Sequence, residues 1–270
     1  MMRPLTLSIV SVSLALPACI PLDDASRAEM RQAVIEIADL GAADGAQAEI
    51  LELTTSFTIG AGVAAAREEL RDFVTSQIPC STVTLADATL TIDFGDMSDS
   101  CLYRGRTYAG VVSVSVDKQG DSWVVVHTYD GMTGGRATLD GTATVTWTDN
   151  ERHIVTDLDI ATDRGDWHVE ADRTETFTAC PEADAVCVDI DGDRTWTGPN
   201  GDWDMTIAGV RARSIDPVPE AGTYSVENPN DKQIELSFSR VDDDTIEVSV
   251  QSGRLDFAFH VTALGQVSDA

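Results

Sequence analysis

The chain has 270 residues, with 18 Lys and Arg against 46 Asp and Glu, a formal charge of −28 and 43% hydrophobic residues. Such a charge makes nucleic acid and anionic membrane surfaces poor partners, because both repel a polyanion. The length and apolar fraction suffice for one sizeable core, while the acids are mostly Asp and lysine is confined to Lys118 and Lys232, a composition suited to solvation in saline surroundings.

In chain order, residues 1–18 carry one basic residue, Arg3, and then an apolar stretch from Leu5 to Leu16. That stretch is too short to span a bilayer as a helix but has the length of a signal-peptide core. Leu16, Pro17, Ala18 and Cys19 then resemble the lipobox of bacterial lipoproteins, in which the cysteine thiol takes a diacylglycerol and becomes the first residue. Pro17 departs from the small residue usual at that place. Ile20 follows the cysteine where Asp would favour inner-membrane retention under the enteric sorting rule, so the resemblance implies a lipid anchor at Cys19 in the outer membrane. The expected organisation is a signal peptide over 1–18, a lipidated tether over 19–24, a helical region over 25–79 and an antiparallel β domain over 80–270.

Five cysteines in an exported chain leave one over, and lipidation would consume Cys19. The other four, Cys80, Cys101, Cys180 and Cys187, are expected to form two structural disulfides in an oxidising envelope. Of the three possible connectivities the nearest-neighbour pairing, Cys80–Cys101 with Cys180–Cys187, is the expected one, and the spacings match no zinc site of paired C-x-x-C units.

Met30, Val34, Ile37 and Leu40 fall on one face of a helix, with Ser26 and Glu29 at capping-box spacing before them. A second helix is predicted over Val63–Gln77 and ends at Pro79. The run LELTTSFTIGAG between them reads as helix passing into a Gly-rich turn, and both helices are expected to cover one face or end of a sheet. From Cys80 onward the period changes to two, in WVVVHTY, TATVTW, HIVTDLDI, QIELSFSRV and TIEVSV. Turn signals separate these runs, among them Asp130-Gly131, Asp140-Gly141, Asp191-Gly192, Asn200-Gly201, Pro229-Asn230 and Ser252-Gly253. No interval leaves room for a crossover helix, which predicts about ten to twelve strands in an antiparallel meander, a mainly β chain with a helical N-terminal part.

The ordered set SFTIGAGVAAAREELRDFVTSQIPC, LTIDFG, CLYRGRTYAGVVSVSV, DGTATVTW and RTWTGPNGDW, within residues 55–205, resembles a group of uncharacterised bacterial lipoproteins. The resemblance implies a helical part followed by a long β meander and an envelope location. It transfers no activity and no catalytic residue.

The sharpest metal candidate is DIDGD, because Asp189, Asp191 and Asp193 in a tight loop would offer three carboxylates to calcium, with Asp184, Asp202 and Asp204 near in sequence. Arg194 and Asn200 stand where an EF-hand needs Gly and Glu, and an acidic hairpin turn is the plainer reading. Trp196 and Trp203 flank the Pro199-Asn200-Gly201 turn and form the most exposed pair if any tryptophan serves as a sugar-stacking platform; packing in the core is the commoner fate. His168 and Glu170 share a strand face, a pair that falls short of a catalytic zinc site and reads as an ion pair. Thr142, Thr144, Thr146 and Thr148 form a row expected on a solvated face. Transmembrane-barrel strands would need an apolar outer band, whereas these put Thr, Asp and Glu on their second face. The expectation is therefore an outer-membrane-anchored lipoprotein with a non-enzymatic binding or structural role, without a cofactor unless calcium, and with an envelope protein or polysaccharide as partner. The alternative is a carbohydrate-active enzyme or a calcium-dependent glycan-binding module.

Overall fold

The computed structural model describes residues 24–55, 63–103, 105–120, 122–148, 151–180 and 187–270. Two helices, α1 (Arg27–Thr54) and α2 (Val63–Gln77), precede fifteen strands. These are β1 (Thr82–Ala86), β2 (Thr89–Asp93), β3 (Cys101–Tyr103), β4 (Arg106–Gln119), β5 (Ser122–Thr133), β6 (Ala137–Thr148), β7 (Glu151–Thr162) and β8 (Gly165–Phe177). They continue as β9 (Cys187–Gly198), β10 (Gly201–Arg213), β11 (Ala221–Glu227), β12 (Gln233–Arg240), β13 (Thr245–Ser252), β14 (Leu255–Thr262) and β15 (Val267–Asp269). Every strand pairs antiparallel with its neighbours in chain order, except that β2 passes over β3 to pair with β4. The class and meander match the sequence expectation; the strand count exceeds it, in part because β3 and β15, at three residues each, are too short to leave a periodic signal.

Helix α1 starts where predicted. Ser26 Oγ accepts from the Glu29 amide at 3.3 Å and Glu29 Oε2 accepts from the Ser26 amide at 2.8 Å, which satisfies two donors that the first turn leaves free. Its position is more enclosed than the expected covering of one face or end of a sheet. Besides Met30, Val34, Ile37 and Leu40, it buries Ala33, Ala38, Ala43, Ala46, Ile50 and Leu53 together with Glu36, Gln47 and Glu49. The sheet rolls around it. Tyr108 of β4 donates to Glu49 near the helix C-terminus, while Arg27 and Arg31 at the other end reach Asp269 at 2.9 Å and the Val267 carbonyl at 3.1 Å, on β15. The alanine-rich surface explains how a sheet closes on it, since small side chains keep the helix thin.

Close approach also requires Gly41 and Gly45. A Cβ on Gly41 would stand 1.8 Å from the Pro217 carbonyl oxygen, and one on Gly45 2.3 Å from that of Ser214. Helix propensity alone would make Gly41→Ala stabilising by about 1 kcal/mol. Here it is expected to destabilise by about 2 kcal/mol or more, because backbone must move to admit the methyl, and urea denaturation of the variant checks the sign.

Three of the sequence turn signals are not turns. Asp130-Gly131, Asp140-Gly141 and Asp191-Gly192 lie inside β5, β6 and β9, where the register shifts between Tyr129 and Met132 and, opposite β9, between Ile207 and Val210. Gly131 and Gly209 have φ of 57° and 55°, and each amide is held by a cross-strand carboxylate at 2.7 Å, Asp140 for Gly131 and Asp191 for Gly209. A glycine in the left-handed region builds a bulge that bends and twists its strand. The aspartate–glycine pairs thus mark where long strands curve around α1 rather than where they reverse.

Helix α2 packs over β1 and β4, with Arg67 Nη2 donating to the Val116 carbonyl at 2.6 Å and Ala66, Leu70 and Val74 buried in the common core. Both expected disulfides are formed: Cys80–Cys101 ties the chain after α2 to β3, and Cys180–Cys187 closes the short segment before β9. The former closes the longer loop and so removes more unfolded-state entropy.

Candidate functional site

The acidic run Asp189, Asp191 and Asp193 does not form a loop. It lies extended in β9, where Asp189 pairs with Arg211 at 2.9 Å, Asp191 accepts from the Gly209 amide and Asp193 accepts from Thr206 Oγ1 at 2.9 Å. Alternate residues of a strand stand about 7 Å apart on one face, so the three carboxylates serve three separate partners. Among the described residues no group of three His, Cys, Asp or Glu side chains is arranged to hold a metal ion. Of the other acids named with them, Asp202 accepts from Thr197 Oγ1 at 2.7 Å, Asp204 lies opposite Thr195, and Asp184 lies outside the described residues, as does Cys19.

Trp196 and Trp203 face each other across β9 and β10, stacked at 5.6 Å and 2% and 4% exposed, so they fill the roll and form no surface platform. The inward parity of their strands explains it: Trp203, Met205 and Ile207 alternate with Asp202, Asp204 and Thr206. His168 donates toward Asp159 at 3.0 Å on the outer face, an ion pair that raises its pKa above the ordinary value, with Asp157 and Glu170 adding to the effect. Thr142 is exposed and Thr144 and Thr146 are half-buried on that same face.

Inside the roll, arginines stand at apolar parity. Arg152, Arg173, Arg194 and Arg213 are all buried, on β7, β8, β9 and β10. Glu175 accepts from Arg152 Nε and Nη2 at 2.8 and 2.6 Å and from Arg173 Nε at 2.8 Å. Burial alone would raise its pKa, but the two guanidiniums outweigh burial and hold it below the usual carboxylate range. Asp44 of α1 bridges onward to Arg194 at 2.6 Å and Arg173 at 3.6 Å and is lowered for the same reason. A second knot joins Arg213 to Asp216 at 2.7 Å, Asp216 to Arg240, and Arg240 to Glu220 at 2.9 Å. Both knots border a cavity of about 70 Å³ between α1, β8–β10 and residues 214–219, room for a few waters. The remaining acids of α1 dock likewise: Glu36 accepts from Trp167 Nε1 and Asn200 Nδ2, both at 2.6 Å, and Asp39 pairs with Arg164 at 2.7 Å.

One stretch of α1 borders open cavities. Ala38, Asp39 and Ala42 floor a cavity of 520 Å³ walled by Arg136, Arg164 and Leu264. It continues along Ala42 and Ala46 into a second cavity of 350 Å³, whose walls are Arg106, Arg136, Ile215 and Leu264. The turn between β5 and β6 supplies Arg136, and the chain between β14 and β15 supplies Leu264, so the two halves of the rolled sheet meet here; Arg136 Nη1 reaches the Ala263 carbonyl at 3.4 Å. Arg106 is pinned by the Ser214 carbonyl at 2.6 Å and by Glu49 at 3.4 Å. Arg136 has no carboxylate partner among the described residues. Partial burial, and then the neighbouring charge of Arg106, lower its pKa.

No family model, curated protein or solved structure matches the chain. The functional reading therefore rests on the residues themselves. Sequence reasoning missed this groove because Arg136 sits in a Gly134-Gly135-Arg136 turn that looks like any solvated hairpin, and its neighbours Ala42 and Leu264 are remote in the chain. The buried arginines did carry a signal, since Arg152, Arg173 and Arg194 occupy the same strand parity as Ile154, Val169 and Trp196.

Proposed function

We propose that the chain is a lipoprotein anchored to the outer membrane through Cys19, with a non-enzymatic binding or structural role in the envelope. The observation that carries this reading is the outer face of the roll. Asp157 lies directly opposite Glu170, Asp172 opposite Asp193 and Asp140 opposite Asp159, like-charge cross-strand pairs that cost stability and are tolerable where water and counterions reach them. A membrane-inserted barrel turns an apolar band to lipid; this face supports a water-bathed domain, and the proposed anchor rests on the Leu16–Cys19 motif. No helix among the described residues is long and apolar enough to cross a membrane. Cys19 precedes Asp24 by five residues, a link of at most about 18 Å, so the anchor would hold the N-terminal end of α1 near the surface. Support for binding or scaffolding over catalysis comes from the cavity-lining carboxylates Asp39, Asp44, Glu175 and Asp216, each of which is already engaged by an arginine.

Fractionation of cells producing the wild-type chain and Cys19→Ser tests the reading. The wild type should sediment with outer membranes and show a diacylglyceryl-modified first residue at Cys19 by intact mass, and the variant should be released or remain unprocessed. An unmodified Cys19 or a mature N-terminus elsewhere would overturn it.

A further inference from the structure

We infer that the groove beside α1 binds a phosphate ester, with Arg136 and Arg106 holding the phosphate and Leu264 and Ile215 receiving the organic part. Among the described residues the 350 Å³ cavity is lined by two arginines and no acid, the nearest carboxylate to Arg106 being its partner Glu49 at 3.4 Å, outside the lining. In a chain with 46 acids and 18 bases, that is a reversal of the local charge balance. Interior arginines such as Arg173 and Arg213 meet carboxylates at 2.8 and 2.7 Å; Arg136 meets one carbonyl at 3.4 Å.

Its placement beside a second cation costs free energy that an anion between the two would recover. Arg106 gives Nη2 to the Ser214 carbonyl and Nε to Glu49, which fixes its guanidinium with Nη1 to offer, and Arg136, on an exposed hairpin, is free to close. Two guanidiniums approaching from different elements call for an acceptor with oxygens on more than one side. A phosphate monoester offers three such oxygens and a charge of about −1.5 to −2, whereas one fork already satisfies a carboxylate. Leu264, at 75% the most exposed large hydrophobic side chain among the described residues, stands on the lip where it would cover the ester's carbon skeleton. The cavity volume lies in the range of small-ligand sites.

The shared chemistry has two sources, a soluble phosphate ester or the headgroup of an anionic lipid. The test uses the full chain carrying Cys19→Ser, so that no lipid anchor contributes, in about 0.15 M NaCl, where charges beyond about 8 Å are screened. Calorimetric titration with glycerol 3-phosphate should give saturable binding that Arg136→Ala weakens at least tenfold and Arg136→Lys weakens less, because lysine keeps the charge and loses the fork. Arg71→Ala, remote on α2, should leave binding unchanged. In a second arm, cosedimentation with phosphatidylcholine vesicles that contain phosphatidic acid, compared with phosphatidylcholine alone, assigns the source. Binding to glycerol 3-phosphate alone supports a soluble ligand. Enrichment on phosphatidic acid that is lost in Arg136→Ala supports a headgroup. Binding in neither arm, or binding insensitive to both Arg136 variants while their melting curves match the parent, would overturn the inference.

Discussion

Glu175→Gln should cost about 3–5 kcal/mol of folding free energy, the range found when one partner of a buried ion pair is removed. The side chain is 2% exposed and takes three charge-assisted hydrogen bonds from Arg152 and Arg173. Arg152 is fully buried, with its guanidinium 4.4 Å from the Phe177 ring, so neutral glutamine leaves a cation in the interior with an amide oxygen and aromatic faces but no counter-charge to meet it. Arg173 retains Asp44, which Arg194 already shares. Against a total stability of about 5–15 kcal/mol for an ordinary domain, the loss is a large fraction. Arg152→Met combined with Glu175→Gln should be more stable than Glu175→Gln alone, since it removes the uncompensated charge as well. Urea midpoints at neutral pH check both. A single variant within about 1 kcal/mol of wild type would mean that the network does not carry the interior.

Acidification from about pH 7 toward pH 5 should destabilise the fold through His127. This ring is fully buried on β5 and stacked near Tyr129 at 6.4 Å. Thr54 Oγ1 donates to the Ile50 carbonyl at 2.6 Å and is thereby placed to accept from His127 Nε2, also at 2.6 Å. Burial pushes the ring down to about 3. The unfolded chain takes the proton below about pH 6.5 and the folded chain refuses it until about pH 3, so unfolding binds a proton across that window and stability is lost at about 1.4 kcal/mol per pH unit.

His168 acts with the opposite sign, since its raised pKa adds stability below about pH 6.5 that disappears as pH rises, but it is half-exposed and solvent screens it. Below about pH 4.5 the loss steepens. There Glu175 and Asp44, and Glu29, lowered to about 2 chiefly by its bond from the Ser26 amide, forfeit the stabilisation their depressed values confer. His127→Phe should keep the ring's packing, cost about 1 kcal/mol at neutral pH for the lost hydrogen bond, and flatten the slope between about pH 6.5 and 5. Denaturation series on both chains decide it; equal slopes would show that some other group drives the acid sensitivity.

What the sequence disclosed follows the range of the interactions involved. The N-terminus of α1, the limits of α2, the antiparallel order of the strands and both disulfides depend on neighbours in the chain, through capping at Ser26 and Glu29, the break at Pro79 and period-two alternation. The envelopment of α1 does not, because alanines and glycines at Ala38, Gly41, Ala42 and Gly45 give a weak apolar stripe, and the glycines among them let the Pro217 and Ser214 carbonyls approach. The same local signal misled where context reversed it. Asp191-Gly192 carries the chemistry of a tight turn, yet a bulge needs that chemistry too, and only pairing with β10 distinguishes them. Trp196 and Trp203 flank a polar turn in sequence, while strand parity sends both rings inward. The groove was hidden most completely, since Arg106, Arg136, Ile215 and Leu264 meet only once the sheet has rolled around α1.

Hydrogen exchange along α1 tests the central claim, that this helix is the axis around which the sheet is rolled. Amides from Val34 to Leu53 should exchange only through global unfolding, with the same free energy and urea dependence as those of β8 and β9. Exchange of those helix amides through a separate, lower-energy opening, while β8 and β9 remain protected, would contradict it and make α1 an appendage that the sheet does not need.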